Sequence, residues 1–165
     1  MTFNSDPHTP GSPHRAKNPR GYGHRLRQAL GAGLLSLLAP WMAWAEIAVI
    51  VNAANPVKQL SVQQVSDLYL GRARSYPNGE YALVFDLMRG DTLRQQFFTS
   101  LAGMTPQQVN AYWSRLMFTG QVLPPQQLPS DAMVLDIVRR NPGAIGYVKA
   151  QALDASVRVV LTLKE

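Results

Sequence analysis

The chain has 165 residues, with 16 Lys and Arg against ten Asp and Glu, three His, no Cys and a net charge of +6. Without Cys there can be no disulfide, no thiol nucleophile and no lipid-modified cysteine. The charge is unevenly spread: Arg15, Lys17, Arg20, Arg25 and Arg27, a single acid (Asp6) and all three histidines (His8, His14, His24) precede residue 46.

Residues 1–45 read as a signal peptide with a disordered basic N-terminus. The Pro, Gly and His-rich stretch from Asp6 to His24 lacks the apolar content to fold. The apolar segment Ala29 to Trp44 follows, ends in Ala43-Trp44-Ala45 and meets Glu46. A positive region, an apolar region and an A-x-A end form the pattern of a secretory leader, with cleavage expected between Ala45 and Glu46. The apolar run is short for a spanning helix and is interrupted by Gly31, Gly33 and Pro40. An uncleaved anchor, touching the membrane only through this leader, is the alternative.

Removing the leader changes the chemistry open to the chain. Residues 46–165 carry 11 basic and nine acidic residues and neither His nor Cys. A Ser-His-Asp or Cys-His nucleophile cannot be assembled, and a zinc site lacks its usual nitrogen and sulfur ligands. Nor do Lys58, Lys149 or Lys164 stand near a distinctive serine motif. These observations favour binding over catalysis, with no metal and no cofactor. A net charge of +2 in this part argues against a nucleic-acid partner.

The 120 residues suit one domain and one core. Ile47 to Val51 is a β-branched run expected to form a buried strand. Ser61 and Gln64 form a capping box, with Leu60 and Val65 as its hydrophobic staple, before a helix carrying Val65, Leu68 and Tyr69 and ending at Gly71. The turn Pro77-Asn78-Gly79 leads to a second strand, Tyr81 to Phe85.

Asp91 is the expected N-cap of a helix with Leu93, Phe97, Phe98 and Leu101 on its apolar side and Gly103 at its end. Thr105, Pro106 and Gln108 make a stronger start signal, stapled by Met104 and Val109. Val109, Tyr112, Trp113, Leu116 and Met117 then follow helical spacing, which points Tyr112 and Trp113 to the core. After a Pro-rich connection (Pro124, Pro125, Pro129), Ser130 caps a helix with Val134, Ile137 and Val138, stopped by Asn141-Pro142-Gly143. Arg139 and Arg140 suit the dipole at its last turn. Strands at Ala144 to Val148 and Val157 to Leu163 complete the order β-α-β-α-α-α-β-β, an α/β domain with a largely parallel sheet flanked by helices.

Several segments resemble the phosphate-type periplasmic substrate-binding proteins of ABC transporters. They are Val51-Asn52-Ala53-Ala54-Asn55-Pro56-Val57 with Leu60-Ser61, Leu68-Tyr69-Leu70-Gly71-Arg72, Ala111 to Gly120, and Asn141-Pro142-Gly143-Ala144-Ile145-Gly146-Tyr147-Val148. The resemblance implies a single periplasmic-binding-protein-like lobe over 46–165, a short variant of a family whose full members are about twice as long and hold an oxyanion between two lobes. It also implies a periplasmic location and transport. Setting the family's Arg-x-Asp-Gly-Ser-Gly-Thr segment over Leu87 to Leu93 keeps only Gly90, with Arg89 as a substitute cation and Asp91 at a hydroxyl position.

Arg89, Gly90, Asp91 and Thr92 are therefore the candidate ligand-binding residues, at a helix N-terminus whose free N–H groups and dipole suit an anion. The bland reading is a capping Asp91 beside a solvated Arg89. Two functions stay open: an exported binding protein taking phosphate or another small oxyanion, or a periplasmic interaction or sensory module that keeps the fold without phosphate. The partner is accordingly a small anion or a periplasmic or membrane protein, and a homodimer is a further option.

Overall fold

A computed structural model of the protein describes residues 46–120 and 122–164. The expected leader and Ala45 lie outside the described residues, and among these no helix is long and apolar enough to cross a membrane.

Strand β1 (Ile47–Asn52) is buried along its whole length, as its β-branched sequence requires. Helix α1 (Val62–Tyr69) starts at the expected capping box: Ser61 Oγ accepts from Gln64 N, and Gln64 Oε1 accepts from Ser61 N. After β2 (Leu83–Leu87), α2 (Thr92–Ala102) is capped by Asp91 and closed by Gly103. Helix α3 (Pro106–Phe118) carries the Thr105–Gln108 capping box, and α4 (Asp131–Arg140) is capped by Ser130. Strands β4 (Ala144–Lys149) and β5 (Val157–Leu163) end the domain, separated by a short 3-10 turn at Ala150–Ala152.

Two elements depart from the sequence expectation. Strand β2 lies two residues later than the apolar run 81–85, because Tyr81 is taken into a bridge with Ser75 and the strand continues through Asp86. A charge inside a strand looks like a strand end until its partner is known. The Pro-rich connection also contains a three-residue strand, β3 (Gln126–Leu128), too short and polar to carry a periodic signal.

The sheet order is β3-β2-β4-β1-β5. Strands β2 and β3, and β2 and β4, pair in parallel; β1 is antiparallel to both β4 and β5. Four strands thus point one way and β1 alone opposes them, so the sheet is largely parallel in direction. The β1–β5 register slips between Val49 and Ile50, passing over Val160. The Val160 carbonyl accepts from Leu60 N at 2.9 Å, which ties the segment before α1 to this bulge.

Helices cover both faces. Gly146 and Tyr147 are successive on β4 and so point to opposite sides. A Cβ on Gly146 would stand 2.3 Å from Val134 Cγ1 of α4, so only glycine lets that helix lie this close. Tyr147 stacks on Phe97 of α2 at 3.8 Å between ring centroids. Tyr69 and Phe98 add edge contacts, making an aromatic centre on the α1–α2 face.

Candidate functional site

In open α/β sheets, ligands bind beyond the carboxyl ends of the strands. The turn from β2 to α2 lies at such an end and contains all four candidate residues. The backbone leaves β2 with Met88 N donating to Leu128 O of β3, turns through Gly90 at φ +91°, and closes with Asp91 N on Met88 O. Among the described residues no atom comes within 4 Å of a Cβ placed on Gly90, so glycine is needed there for its left-handed backbone and not for space. Arg89, Gly90 and Thr92 are exposed, and Asp91 is half-buried.

Two amides of the first helical turn are already in use. Asp91 Oδ1 accepts from Leu93 N at 2.8 Å and from Arg94 N at 3.2 Å. An incoming anion therefore finds Arg89, the Gly90 backbone and the start of α2, with a carboxylate among them. Two like charges ~4 Å apart repel by about 4 kcal/mol near a protein surface.

Directly behind the turn is a charged centre that sequence reasoning missed. Asp86, near the end of β2, is 1% exposed, and Arg94, in the first turn of α2, is 3% exposed. Arg94 Nε donates to Asp86 Oδ2 at 2.8 Å. Tyr147 Oη from β4 donates to Asp86 Oδ1 at 2.6 Å, and Leu87 N reaches the same oxygen at 2.8 Å. The guanidinium carbon of Arg94 stands 5.0 Å from the Phe98 ring centroid. Burial pushes the Asp86 carboxyl up from its ordinary value, against the opposing pull of Arg94, Tyr147 and the Leu87 amide. Burial, with the Asp86 charge beside it, also raises the Tyr147 phenol strongly. One signal for this centre was present in the sequence: Arg94 shares helical spacing with Phe97, Phe98 and Leu101, so it sits on the apolar stripe of α2.

A second feature is a cleft of about 440 Å³ that none of the four turn residues lines. Its walls include Tyr81, Leu83, Phe85, Trp113 and Met117. Trp113 is buried as its spacing predicted, with its Nε1 unpartnered among the described residues, whereas Met117, one turn further along α3, stays 41% exposed beside the cleft. Arg139 and Arg140 pair with Asp154 and Asp136, as solvated surface cations do. Among the described residues, no group of three or more His, Asp or Glu is placed to hold a metal.

No protein-family model matches the chain, and neither does any functionally curated protein. Solved structures do. A protein from Clostridium perfringens described as a phosphate ABC transporter substrate-binding protein with bound phosphate superposes with a TM-score of 0.57 at 23% identity, over 70% of this chain and 45% of its own. An ABC-type phosphate transport receptor from Vibrio cholerae gives a TM-score of 0.57 at 23% identity, over 71% of this chain and 47% of its own. Over the matched part, this chain shares the fold of those two structures. The chain spans just under half the length of either structure. Within this fold, two segments that carried the resemblance hold each other: Asn52 Nδ2 donates to Val138 O and Arg139 O, and Asn55 Nδ2 donates to Pro142 O.

Proposed function

We propose that the protein is an exported binding lobe of the substrate-binding-protein type, acting in transport by recognition without chemistry. Residues 1–45 direct it to the periplasm and are removed between Ala45 and Glu46. Its ligand is a small oxyanion, phosphate being the first to test, held at the β2–α2 turn by Arg89, the Gly90 backbone and Thr92, with Asp91 limiting the affinity. The observation that carries this reading is the exposed Arg89 beside a left-handed Gly90 at the start of an 11-residue helix, beyond the carboxyl end of β2.

Calorimetric titration of the purified protein with phosphate and sulfate tests it. Saturable heat that falls about tenfold in affinity in Arg89→Ala supports the site, since one charge-assisted contact is worth roughly that. No heat at millimolar anion overturns it.

A second reading has its own observation. Because Asp91 occupies the Leu93 and Arg94 amides, the lobe can serve as a periplasmic interaction or sensory module that keeps the fold and takes no phosphate. Silent titrations combined with capture of a defined periplasmic or membrane partner would favour it.

A further inference from the structure

We propose that the donor cage formed by Arg94 Nε, Tyr147 Oη and Leu87 N is a carboxylate-binding site that the chain fills with its own residue, Asp86. Three donors of different kinds, from α2, β4 and β2, converge on the two oxygens of one carboxylate. Charged, phenolic and backbone donors around one oxyanion are what an anion receptor assembles. Here the anion is part of the chain.

The cage is held from outside Asp86. Tyr147 is fixed by its stack on Phe97, with ring planes 5° apart, and by an edge contact with Tyr69. Arg94 lies over Phe98 and belongs to a helix whose own cap is Asp91. The same rings keep water away, which strengthens each contact to the occupant. A side-chain anion tethered to the backbone cannot diffuse away, so β2, α2 and β4 stay joined whether or not a ligand sits at the Arg89 turn. The carboxylate also neutralises Arg94, leaving no net charge to draw a second anion inward.

The chemistry defines the ligand class of the vacated site. Truncating Asp86 to glycine removes an acetate-sized group, and truncating it to alanine removes a formate-sized one. The freed cage therefore takes planar monocarboxylates, whereas tetrahedral sulfate and phosphate exceed the space and offer the wrong oxygen geometry. The inference does not depend on the oxyanion reading of the turn, which is tested separately in the wild-type protein and in Arg89→Ala.

The experiment is thermal unfolding of wild type, Asp86→Gly, Asp86→Ala and Asp86→Asn in acetate, formate, chloride and sulfate at matched ionic strength. Acetate is expected to raise the Tm of Asp86→Gly by about 5 °C or more over chloride. Formate should act better than acetate on Asp86→Ala. Wild type and Asp86→Asn, whose cages are full, should show no such selectivity. If Asp86→Gly folds only poorly, its refolding yield becomes the readout, and recovery with acetate but not chloride supports the site. Equal responses to carboxylate and chloride, an Asp86→Asn response matching that of Asp86→Gly, or no recovery with any carboxylate would each overturn it.

Discussion

The side-chain amide of Asn55 donates to the carbonyl of Pro142 at 2.7 Å, bridging 87 positions of sequence. Three residues earlier, Asn52 Nδ2 donates to Val138 O at 3.0 Å and Arg139 O at 2.6 Å. Asn141 Nδ2 takes Ile137 O at 2.8 Å. The last carbonyls of a helix have no partner within it, and at α4 two asparagines supply one from the side. Asn52 and Asn55 also accept with their side-chain oxygens, from Ala54 N and Val57 N respectively, and so shape the turn after β1. Arg158 completes the corner by donating to Ala53 O and Asn55 O.

Asn52→Ala is accordingly expected to destabilise the domain by about 2 kcal/mol, since it strips partners from the end of α4 and from the β1 turn together. Urea unfolding measures it. A loss below about 0.5 kcal/mol would mean that water replaces the amide without cost.

Gly146→Ala is expected to cost about 1–3 kcal/mol or more, because its Cβ would lie 2.3 Å from Val134 Cγ1 on a helix that cannot withdraw freely. Val134→Ala alone also destabilises, by opening a cavity. In the double variant the two losses should partly cancel. A double-mutant cycle reads the coupling, and simple additivity would show that α4 moves away readily.

The pH dependence at Asp86 has a definite sign. Its carboxyl is raised above the ordinary 3.8 by burial, so the folded state holds the proton more tightly than the unfolded chain. The stability this gives is present below 3.8 and is lost as pH rises through the raised folded value. The stability of wild type minus that of Asp86→Asn should therefore fall with rising pH above 3.8. Asp67 and Asp154 act oppositely, lowered chiefly by hydrogen bonds from Arg72 and from Ser156. Their contribution is present above 3.8 and fades as pH falls through the lowered values, equally in both proteins. Chemical denaturation between about pH 3.5 and 6.5 gives the comparison, and a difference that grows with pH would contradict the assignment.

Asp91 offers a test at the turn itself. Asp91→Asn keeps an acceptor for the Leu93 and Arg94 amides and removes the charge, so stability should change by only a few tenths of a kcal/mol. Asp91→Ala should cost about 1 kcal/mol. If the turn receives an oxyanion, Asp91→Asn should bind it roughly tenfold tighter by calorimetry, through relief of like-charge repulsion. Unchanged affinity would place the ligand elsewhere.

The local grammar of the chain was legible before any contact was known. Ser61, Asp91, Thr105 and Ser130 each cap the helix expected of them, and Gly103 ends α2. These signals work because a cap satisfies amides only two or three residues away. The strand β1 was equally plain, since a β-branched run buried on both faces announces itself without a partner. Asp91 as cap came from the same short-range rules, whereas Gly90 entered the candidate site only through the family segment set over Leu87 to Leu93.

Asp86 shows where that reach ends. On its own it is a charge that should stop a strand; only Arg94 from α2 and Tyr147 from β4 make its burial tolerable. Strand β3 likewise exists through its pairing with Phe85 to Leu87, not through its own three residues. The direction of β1 against its neighbours, the closeness of α4 to Gly146 and the Asn55–Pro142 bridge join segments far apart in the chain. Their free energy comes from hydrogen bonds and packing that the folded topology alone brings together. Short-range rules thus settle which helices begin where, which residues seek the core and which chemistry is absent from residues 46–165. The tertiary structure decided which charges are buried, and with them that an anion cage behind the turn is already filled by Asp86.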